Sequence, residues 1–183
     1  MAIVVEIFME PNGILPNKRK GSGIMQEIEA KIQHLQQEEQ ELTFSVFNSE
    51  VAWALGCFIV KRAREKAKKP VAVGISMNHH DLFYYAFDGT TPDNDAWIRR
   101  KQNSIYRFFK STYQLALYME LKQDTIFNRY AVAPTEYAQF GGGFPVRVAS
   151  LGVIGAIAVS GMTDREDHQF VTEAVREFLS GKV

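Results

Sequence analysis

Two pairs of short apolar segments, each joined by a turn of only a few residues, most constrain the fold of this 183-residue chain. The first pair covers residues 71–77 and 82–87, and the second covers residues 144–149 and 152–160. Strands joined by so short a turn pair antiparallel, because parallel pairs need a crossover of a dozen or more residues. The chain is therefore expected to build a mainly antiparallel sheet, and not a doubly wound nucleotide-binding fold.

Helical spacing of apolar residues predicts four long helices that alternate with the strands. These helices are expected over residues 24–40, 48–69, 91–120 and 163–179. The last begins with a capping box, Thr163-Asp164-Arg165-Glu166. The alternating segment 42–47 predicts a further strand, and residues 134–141 predict a short helix. The predicted architecture is an α+β fold, with helices packed on a central antiparallel sheet of about five strands.

The first 24 residues differ from the rest of the chain, because breakers and charges follow one another closely in them. Residues 1–24 are expected to form an N-terminal extension, either flexible or with one added strand at residues 2–9. Residues 25–183 are expected to form a single domain. A second interpretation is that the protein proper begins near Met25 and that an upstream start precedes it.

Charge and cysteine content exclude several classes of protein. The chain has 21 basic and 21 acidic residues, and this balance argues against a protein whose main function is to bind nucleic acid. The single cysteine, Cys57, excludes an intrachain disulfide and is typical of a reducing compartment. No segment is apolar enough to span a membrane, and residues 2–9 lack the features of a signal peptide. A cytoplasmic protein without nucleic-acid or membrane partners is expected.

The predicted helix 91–120 carries a lysine within its apolar stripe. The stripe consists of Trp97, Ile98, Ile105, Phe108, Leu115 and Met119. Lys101 falls near its middle, so it must reach water, pair with a carboxylate, or lie beside a cavity that admits an anion. Arg100 and Arg107 belong to the basic opposite face, which is typical of a solvated or subunit-facing surface.

Gly141-Gly142-Gly143 is the most prominent glycine cluster. Backbone without Cβ atoms lets an anionic group approach closely, but the same run also suits a tight entry into the strand that follows. Neither a P-loop nor a dinucleotide-binding pattern is present. Anion binding by these amides remains one of two interpretations.

The histidines offer weak catalytic and metal candidates. Asp167 and His168 are adjacent on the last predicted helix, and neighbours in a helix do not face each other. His79 and His80 are adjacent near a turn and make a poor chelate. No metal site is predicted. Asp167 and His168 are the weak candidates for acid–base catalysis.

Several runs of residues together resemble the GlcG/HbpS-like family, whose members carry a so-called haem-degrading domain. These runs are Asp93–Lys101, Arg107-Phe108, Glu136–Ala138, Gly141–Pro145, Val159–Met162 and Glu166–His168. The resemblance covers about residues 25–180 and implies a profilin-like α+β fold that assembles into homo-oligomers. Some relatives bind haem, and one is thought to serve cobalamin metabolism.

Two departures from the family pattern bear on haem. The family has a histidine before the glycine run, where this chain has Phe140. It also has Gly-His after Arg-Phe, where this chain has Phe109-Lys110. Both differences remove candidate imidazole ligands and weaken axial haem ligation at these positions.

Three functions stay open at this point. The leading hypothesis is a cytosolic homo-oligomeric binding protein whose anion-accepting pocket takes a haem-like tetrapyrrole or a small carboxylate or phosphate. Its candidate residues are Lys101, Arg100, Arg107, Gly141, Gly142 and Gly143. The second is a non-catalytic interaction protein with Tyr106, Tyr113 and Leu117 as subunit contacts. The third is an enzyme that uses Asp167 and His168, so whether the protein is an enzyme stays open.

Overall fold

The computed structural model describes residues 18–181, with side chains from residue 23 onward. Within that range the chain forms six helices and four strands. The elements are α1 (Lys18–Glu41), α2 (Ser49–Lys66), β1 (Ala72–Met77), β2 (His80–Ala86), α3 (Pro92–Phe108), α4 (Thr112–Leu121), α5 (Ile126–Tyr130), β3 (Gly143–Val148), β4 (Gly152–Ser160) and α6 (Asp164–Leu179). The strand suggested at residues 2–9 lies outside the described residues. Helix α1 begins before residue 24, and the division at residue 24 stays a prediction.

The two predicted hairpins form the central sheet. Its strand order is β2-β1-β4-β3, and every neighbouring pair is antiparallel. Strand β1 pairs Val73 with Tyr85 on one side and Gly74 with Ala158 on the other. The predicted α+β fold with a central antiparallel sheet is confirmed, although the described sheet has four strands and not five.

The predicted strand at residues 42–47 is wrong. Only Phe44 contacts the sheet in a strand-like way, through a single parallel bridge to Val148. The alternation arises because Leu42, Phe44 and Phe47 bury their side chains in the core while the segment crosses from α1 to α2. The side chain of Asn48 accepts a hydrogen bond from the Val51 N–H and starts α2, which leaves no room for a longer ladder.

The predicted helix 91–120 is two helices. Phe109 ends α3 in the left-handed conformation, with φ 54°, and Ser111 caps α4 by accepting a hydrogen bond from the Gln114 N–H. The apolar spacing continues through this break because Leu115 and Met119 of α4 are also buried, so periodicity alone did not reveal it. The break turns α4 away from the sheet and onto α1.

The predicted short helix at residues 134–141 is also wrong. Residues 134–136 form a turn, and the short helix of this region is α5. Gln139 accepts a hydrogen bond from the Ile126 N–H at 2.7 Å, so a side chain from the irregular segment caps the helix that precedes it. The irregular segment is therefore fastened against α5 without being helical.

The sheet separates two layers of helices. Helices α2 and α6 cover one face, where Ile75, Phe144 and Ile157 of the strands lie in the main hydrophobic core. Helix α3 covers the other face, where Ile98 packs on Ala72 and Ala158. Helices α1 and α4 pack against each other beside this sandwich. Helix α4, which carries Tyr113, also lies close to α6.

Candidate functional site

Lys101 points inward from α3 and forms a buried ion pair. Only 3% of the residue is exposed, and its Nζ donates to Asp167 Oδ2 at 3.0 Å and to the Val159 carbonyl at 2.7 Å. The second oxygen of Asp167 accepts a hydrogen bond from the Met162 N–H at 3.1 Å. Of the three environments that the sequence leaves open for this lysine, the structure shows pairing with a carboxylate.

Burial weakens the charged form of both partners of this pair. It lowers the pKa of the Lys101 ammonium, and the Asp167 carboxylate only partly offsets that effect. It also raises the pKa of Asp167, against the opposing influence of Lys101 and the backbone N–H groups of Met162 and Gly161. Charge on either group thus depends on the other, which is the behaviour of an internal ion pair.

The glycine run packs directly against this ion pair. A Cβ atom on Gly142, whose φ is 104°, would lie 2.7 Å from Lys101 Nζ and 2.5 Å from the Val159 carbonyl oxygen. A Cβ atom on Gly141 would lie 1.9 Å from the Asp164 carbonyl oxygen. The structure therefore brings Lys101 and the glycine run together, and the glycines there permit close approach of backbone. Neither Lys101 nor the glycine run lines the clefts that contain Arg107, Arg165 or Gly74.

The two candidate arginines lie elsewhere on α3. The Arg100 guanidinium stacks over the Trp97 ring at 3.7 Å and donates to the Pro134 carbonyl at 3.4 Å. Arg107 lines a small cleft of about 180 Å³ together with His79 and Tyr106. Arg100, Arg107 and Lys101 do not share one cleft.

Asp167 and His168 point to different partners, as adjacent helical residues are expected to do. His168 is 5% exposed, its ring stacks on Tyr113 at 4.9 Å, and its Nε2 lies 3.4 Å from Glu38 Oε2. Glu38 is also held by Arg176 at 2.7 Å. This cluster fastens α1 to α6, and His168 does not contact Asp167 as a proton-transfer pair would.

The side chains proposed as subunit contacts are occupied within the chain. Tyr106 is hydrogen-bonded to Ser76 at 3.0 Å and stacks on His79, and Leu117 is buried between α1 and α4. Tyr113 is half-buried against His168. These three residues therefore do not form one free interaction surface.

A groove of about 660 Å³ lies between α1, α4 and the first turn of α6. Its walls are Glu27, Ala30, Lys31, His34, Leu35, Tyr113 and Arg165. Three of these residues carry or can accept positive charge, namely Lys31, His34 and Arg165. Lys31 pairs with Glu27 at 2.7 Å, whereas no carboxylate within residues 18–181 pairs with Arg165.

The groove is chemically suited to an anionic molecule with an apolar body. The Tyr113 ring and Leu35 supply apolar contact, and the guanidinium of Arg165 matches a carboxylate or phosphate in a bidentate fashion. Cavities that hold small organic ligands typically have volumes of about 300–1,000 Å³.

Nothing in the sequence indicates this groove. Lys31 and His34 lie on the polar side of α1, and Arg165 belongs to a capping box, so each has an ordinary local explanation. Only the packing of α1 on α4 brings them together, and no motif in the sequence records that contact.

The described part of the chain contains no helix long and apolar enough to cross a membrane. Over the same residues, no group of three or more histidine, cysteine, aspartate or glutamate side chains is placed to hold a metal ion.

Comparison with protein families and curated proteins gives consistent matches. The family model "Haem degrading protein HbpS-like" matches residues 47–176. A UPF0303 protein of Serratia proteamaculans is 40% identical over 152 residues, which cover 83% of this chain and 94% of that protein. A UPF0303 protein of Sinorhizobium medicae is 38% identical over 152 residues, which cover 83% and 92%.

Solved structures share the fold. The Ybr137w protein has a TM-score of 0.75 at 27% identity, covering 82% of this chain and 88% of that one. A structure described as a PduOC:Heme complex has a TM-score of 0.62 at 17% identity, covering 72% and 94%. HbpS has a TM-score of 0.58 at 23% identity, covering 76% and 95%. At these identities, the last two show likeness of fold alone.

Proposed function

The chain belongs to the HbpS-like family, and from this premise we propose that it is a small-ligand-binding protein that holds an anionic ligand in the groove between α1, α4 and α6. The observation that carries the proposal is that Arg165, which pairs with no carboxylate among the described residues, lines a cavity of about 660 Å³ together with Lys31, His34 and Tyr113. This assignment moves the expected anion site away from Lys101, because Asp167 already occupies that ammonium.

A haem-type tetrapyrrole is the first ligand to consider, because the family is described as haem-degrading and one structural relative is described as a haem complex. The residues of the groove fit such a group. Histidine and tyrosine side chains both bind haem iron in other proteins, so His34 or Tyr113 would hold the iron here. Lys31 and Arg165 would hold the propionates. When bound, the iron would supply redox or oxygen chemistry.

The positions at which the family has histidines do not provide an iron ligand here. Phe140 packs against the edge of the Trp97 ring, with the ring centroids 5.3 Å apart. The Lys110 ammonium lies 5.6 Å from the centroid of the Tyr118 ring. His34 is therefore the imidazole that this groove offers in their place.

Titration with haemin tests the proposal. Wild type is expected to give a saturable Soret change, His34→Ala a changed Soret position, and Arg165→Met roughly tenfold weaker binding, because a charge-assisted hydrogen bond contributes about 1.5–3 kcal/mol. Inorganic phosphate and small carboxylates serve as competitors, and they distinguish a tetrapyrrole site from a general anion site.

Matched control variants lie outside the groove. His80→Ala removes an exposed histidine of the β1–β2 hairpin, and Arg107→Met removes an exposed arginine of α3; both are expected to bind as wild type. If Arg165→Met and His34→Ala bind haemin and phosphate like these controls, the groove is not the site.

Self-association is a second part of the proposal. Trp53 on α2 is 62% exposed although it is a large aromatic residue, and aromatic residues are enriched at subunit contacts. Light scattering is expected to give a mass above the monomer's 20.8 kDa for wild type and a smaller mass for Trp53→Lys. Leu151→Lys, at an exposed turn, is the control. A monomeric wild type would end this part of the proposal.

A cytoplasmic location is the third part. Cys57 is free and exposed, and an exposed thiol is stable in a reducing compartment. Cell fractionation followed by thiol labelling is expected to find the protein with the reduced cytosolic pool.

A further inference from the structure

A smaller cleft of about 240 Å³ lies between α3 and the β1–β2 hairpin and shares no residue with the groove. Its lining consists of Gly74, Asp81, Tyr84, Asp95, Ile98, Arg99 and Gln102. Strands contribute one wall and α3 contributes the other. Both walls contribute polar side chains to the lining, Asp81 and Tyr84 from β2 and Asp95, Arg99 and Gln102 from α3.

Gly74 lies in β1 at the floor of the cleft. A Cβ atom there would lie 2.5 Å from Ile98 Cγ2 and 3.2 Å from Gln102 Nε2. A larger residue would therefore push Ile98 and Gln102 away from the strand. Because glycine has no side chain, the cleft keeps its depth and α3 can approach the sheet at this point.

Gln102 contributes a side-chain amide to the lining of the cleft. The residue is 6% exposed and lines the cleft, yet its side-chain amide has no hydrogen bond to any other described residue. The amide is therefore open to the cleft and free to bond with a molecule there. The amide offers both a donor and an acceptor to whatever enters the cleft.

The charges of the cleft are opposite in sign and not joined. Arg99 on α3 and Asp81 on β2 both line it, but neither belongs to an ion pair within residues 18–181. Asp95 accepts a hydrogen bond from the Tyr84 hydroxyl. Burial and the Asp95 carboxylate raise the pKa of Tyr84 to about 12, so its hydroxyl stays protonated at neutral pH.

We infer that this cleft binds a small zwitterion of the amino-acid class, with its ammonium at Asp81 and Asp95 and its carboxylate at Arg99. The Gln102 amide hydrogen-bonds to the ligand between these two ends, and Ile98 with the Tyr84 ring contacts its apolar part. A molecule with only one charge would leave either the guanidinium or the carboxylates without a counterpart.

The size of the cleft supports the same class of ligand. Its volume of about 240 Å³ is below the range typical of drug-sized ligands, about 300–1,000 Å³. A tetrapyrrole is therefore excluded from it, and a metabolite with few non-hydrogen atoms is favoured.

The side-chain amide resonances of Gln102 in ¹H–¹⁵N spectra report on this cleft alone. The probes are the L-amino acids with uncharged side chains, together with ethylamine and propionate as molecules that keep one charge each. At least one amino acid is expected to shift these resonances and to bind at least about tenfold more tightly than either singly charged probe. Arg99→Met and Asp81→Asn are each expected to weaken that binding about tenfold or more.

Two control variants carry the same chemical changes outside the cleft. Arg107→Met lies two turns further along α3, and Asp88→Asn follows β2; both are expected to bind the amino acid as wild type. Arg99 and Asp81 are exposed, so their variants are expected to fold, and thermal melting checks this. The inference is overturned if no amino acid at about 10 mM shifts the Gln102 resonances, or if Arg99→Met binds as tightly as wild type.

Discussion

The buried ion pair between Lys101 and Asp167 joins three elements at one point. Lys101 belongs to α3, Asp167 to α6, and the Val159 carbonyl that receives the second Lys101 hydrogen bond to β4. Gly142, the residue before β3, packs against the same ammonium. Helices α3 and α6 cover opposite faces of the sheet, and the ion pair therefore fixes the position of one helix relative to the other.

Lys101→Met is expected to lower the free energy of unfolding by about 3–5 kcal/mol. The methionine fills most of the space, but Asp167 is then a buried carboxylate without its cation. Adding Asp167→Asn to this variant is expected to recover a large part of the loss, because the remaining polar group is neutral and still accepts from the Met162 N–H. Urea denaturation of wild type and these two variants measures both effects.

Lys31→Met is the matched control for that experiment. Lys31 is exposed and pairs with Glu27 on the surface of α1, and surface ion pairs contribute about 0–1 kcal/mol. A Lys101→Met variant no less stable than Lys31→Met would contradict the prediction, because the buried Asp167 carboxylate would then not need its cation.

Residue-level patterns predicted part of this arrangement. The apolar stripe of α3 correctly indicates that Lys101 points inward, because helical periodicity is a local property. Its partner was not predictable, since Asp167 is 66 residues away and the contact exists only after α3 and α6 pack. The groove has the same origin, because it combines residues of α1, α4 and α6, which are distant in sequence. The smaller cleft lies between the consecutive elements β1, β2 and α3, but it too forms only when α3 packs on the sheet.

At the scale of elements, the break between α3 and α4 depends on a residue that is poorly suited to it. Phe109 adopts φ 54°, and a residue with a Cβ atom in this left-handed region costs about 1–2 kcal/mol. Glycine is the usual residue after the end of a helix. Phenylalanine at this position hides the break, because the sequence lacks the glycine that usually marks the end of a helix.

Phe109→Gly is therefore expected to stabilise the protein by about 0.5–1 kcal/mol. The gain is the relief of left-handed strain minus the greater backbone freedom of glycine in the unfolded chain. Phe109 is 58% exposed, so little packing is lost. Phe109→Ala, which keeps a Cβ atom, is the control and is expected to show no such gain in thermal or urea unfolding.

The capping box that begins α6 was predicted and is present. Glu166 accepts hydrogen bonds from the Thr163 N–H and hydroxyl, and Thr163 accepts one from the Glu166 N–H. This element boundary was readable because capping depends on residues three positions apart. The fifth strand was misassigned because alternating burial also occurs in a connecting segment.

The capping box makes stability depend on pH. Hydrogen bonds from Lys68 and then from Thr163 lower the pKa of Glu166 from 4.5 to about 2 in the folded protein. A lowered pKa means that ionised Glu166 stabilises the fold above pH 4.5, and that this contribution is lost as the pH falls towards about 2. Wild type is thus expected to melt above Glu166→Gln at neutral pH and to approach it near pH 2.

Lys68→Met separates the two causes of that shift. The variant keeps the Thr163 hydrogen bonds and removes the ammonium. In the Lys68→Met background, Glu166→Gln is therefore expected to lower the melting temperature by only part of what it does in wild type over the same pH range. A melting difference between wild type and Glu166→Gln that stays constant between neutral pH and pH 2 would contradict the assignment.

At the scale of the whole molecule, α1 is attached separately from the main core. Its buried residues Ile28, Ile32 and Leu35 pack on Leu117 of α4, and none of them belongs to the core cluster of the sheet. Near its C-terminal end, Glu39 accepts a hydrogen bond from the Ser111 N–H at 2.9 Å. The sandwich and its layers followed from the order of elements, whereas nothing in that order indicated that α1 would lie on α4.

This separate attachment predicts how the molecule opens. Regions with few buried apolar contacts unfold locally at a lower free energy than the core. Backbone amides of α1 are therefore expected to exchange hydrogen faster than those of β1 and β4. Ile32→Ala is expected to speed exchange in α1 about tenfold or more, because removal of a buried isoleucine side chain costs about 2–5 kcal/mol, and to leave β1 and β4 unchanged. Ile59→Ala, in the main core, is the matched control and is expected to speed exchange in the sheet.

Because α1 forms one wall of the groove, its opening and ligand binding are linked. A ligand that contacts both α1 and α4 binds only the closed form, so it stabilises the attachment of α1 by mass action. Saturating haemin is expected to slow hydrogen exchange in α1 and α4 and to leave exchange in β2 unchanged. An amino acid bound in the smaller cleft is expected to slow exchange in β2 and α3 instead. Uniform slowing of all elements by haemin would contradict a site at the groove, because it would require a ligand that contacts the whole fold equally.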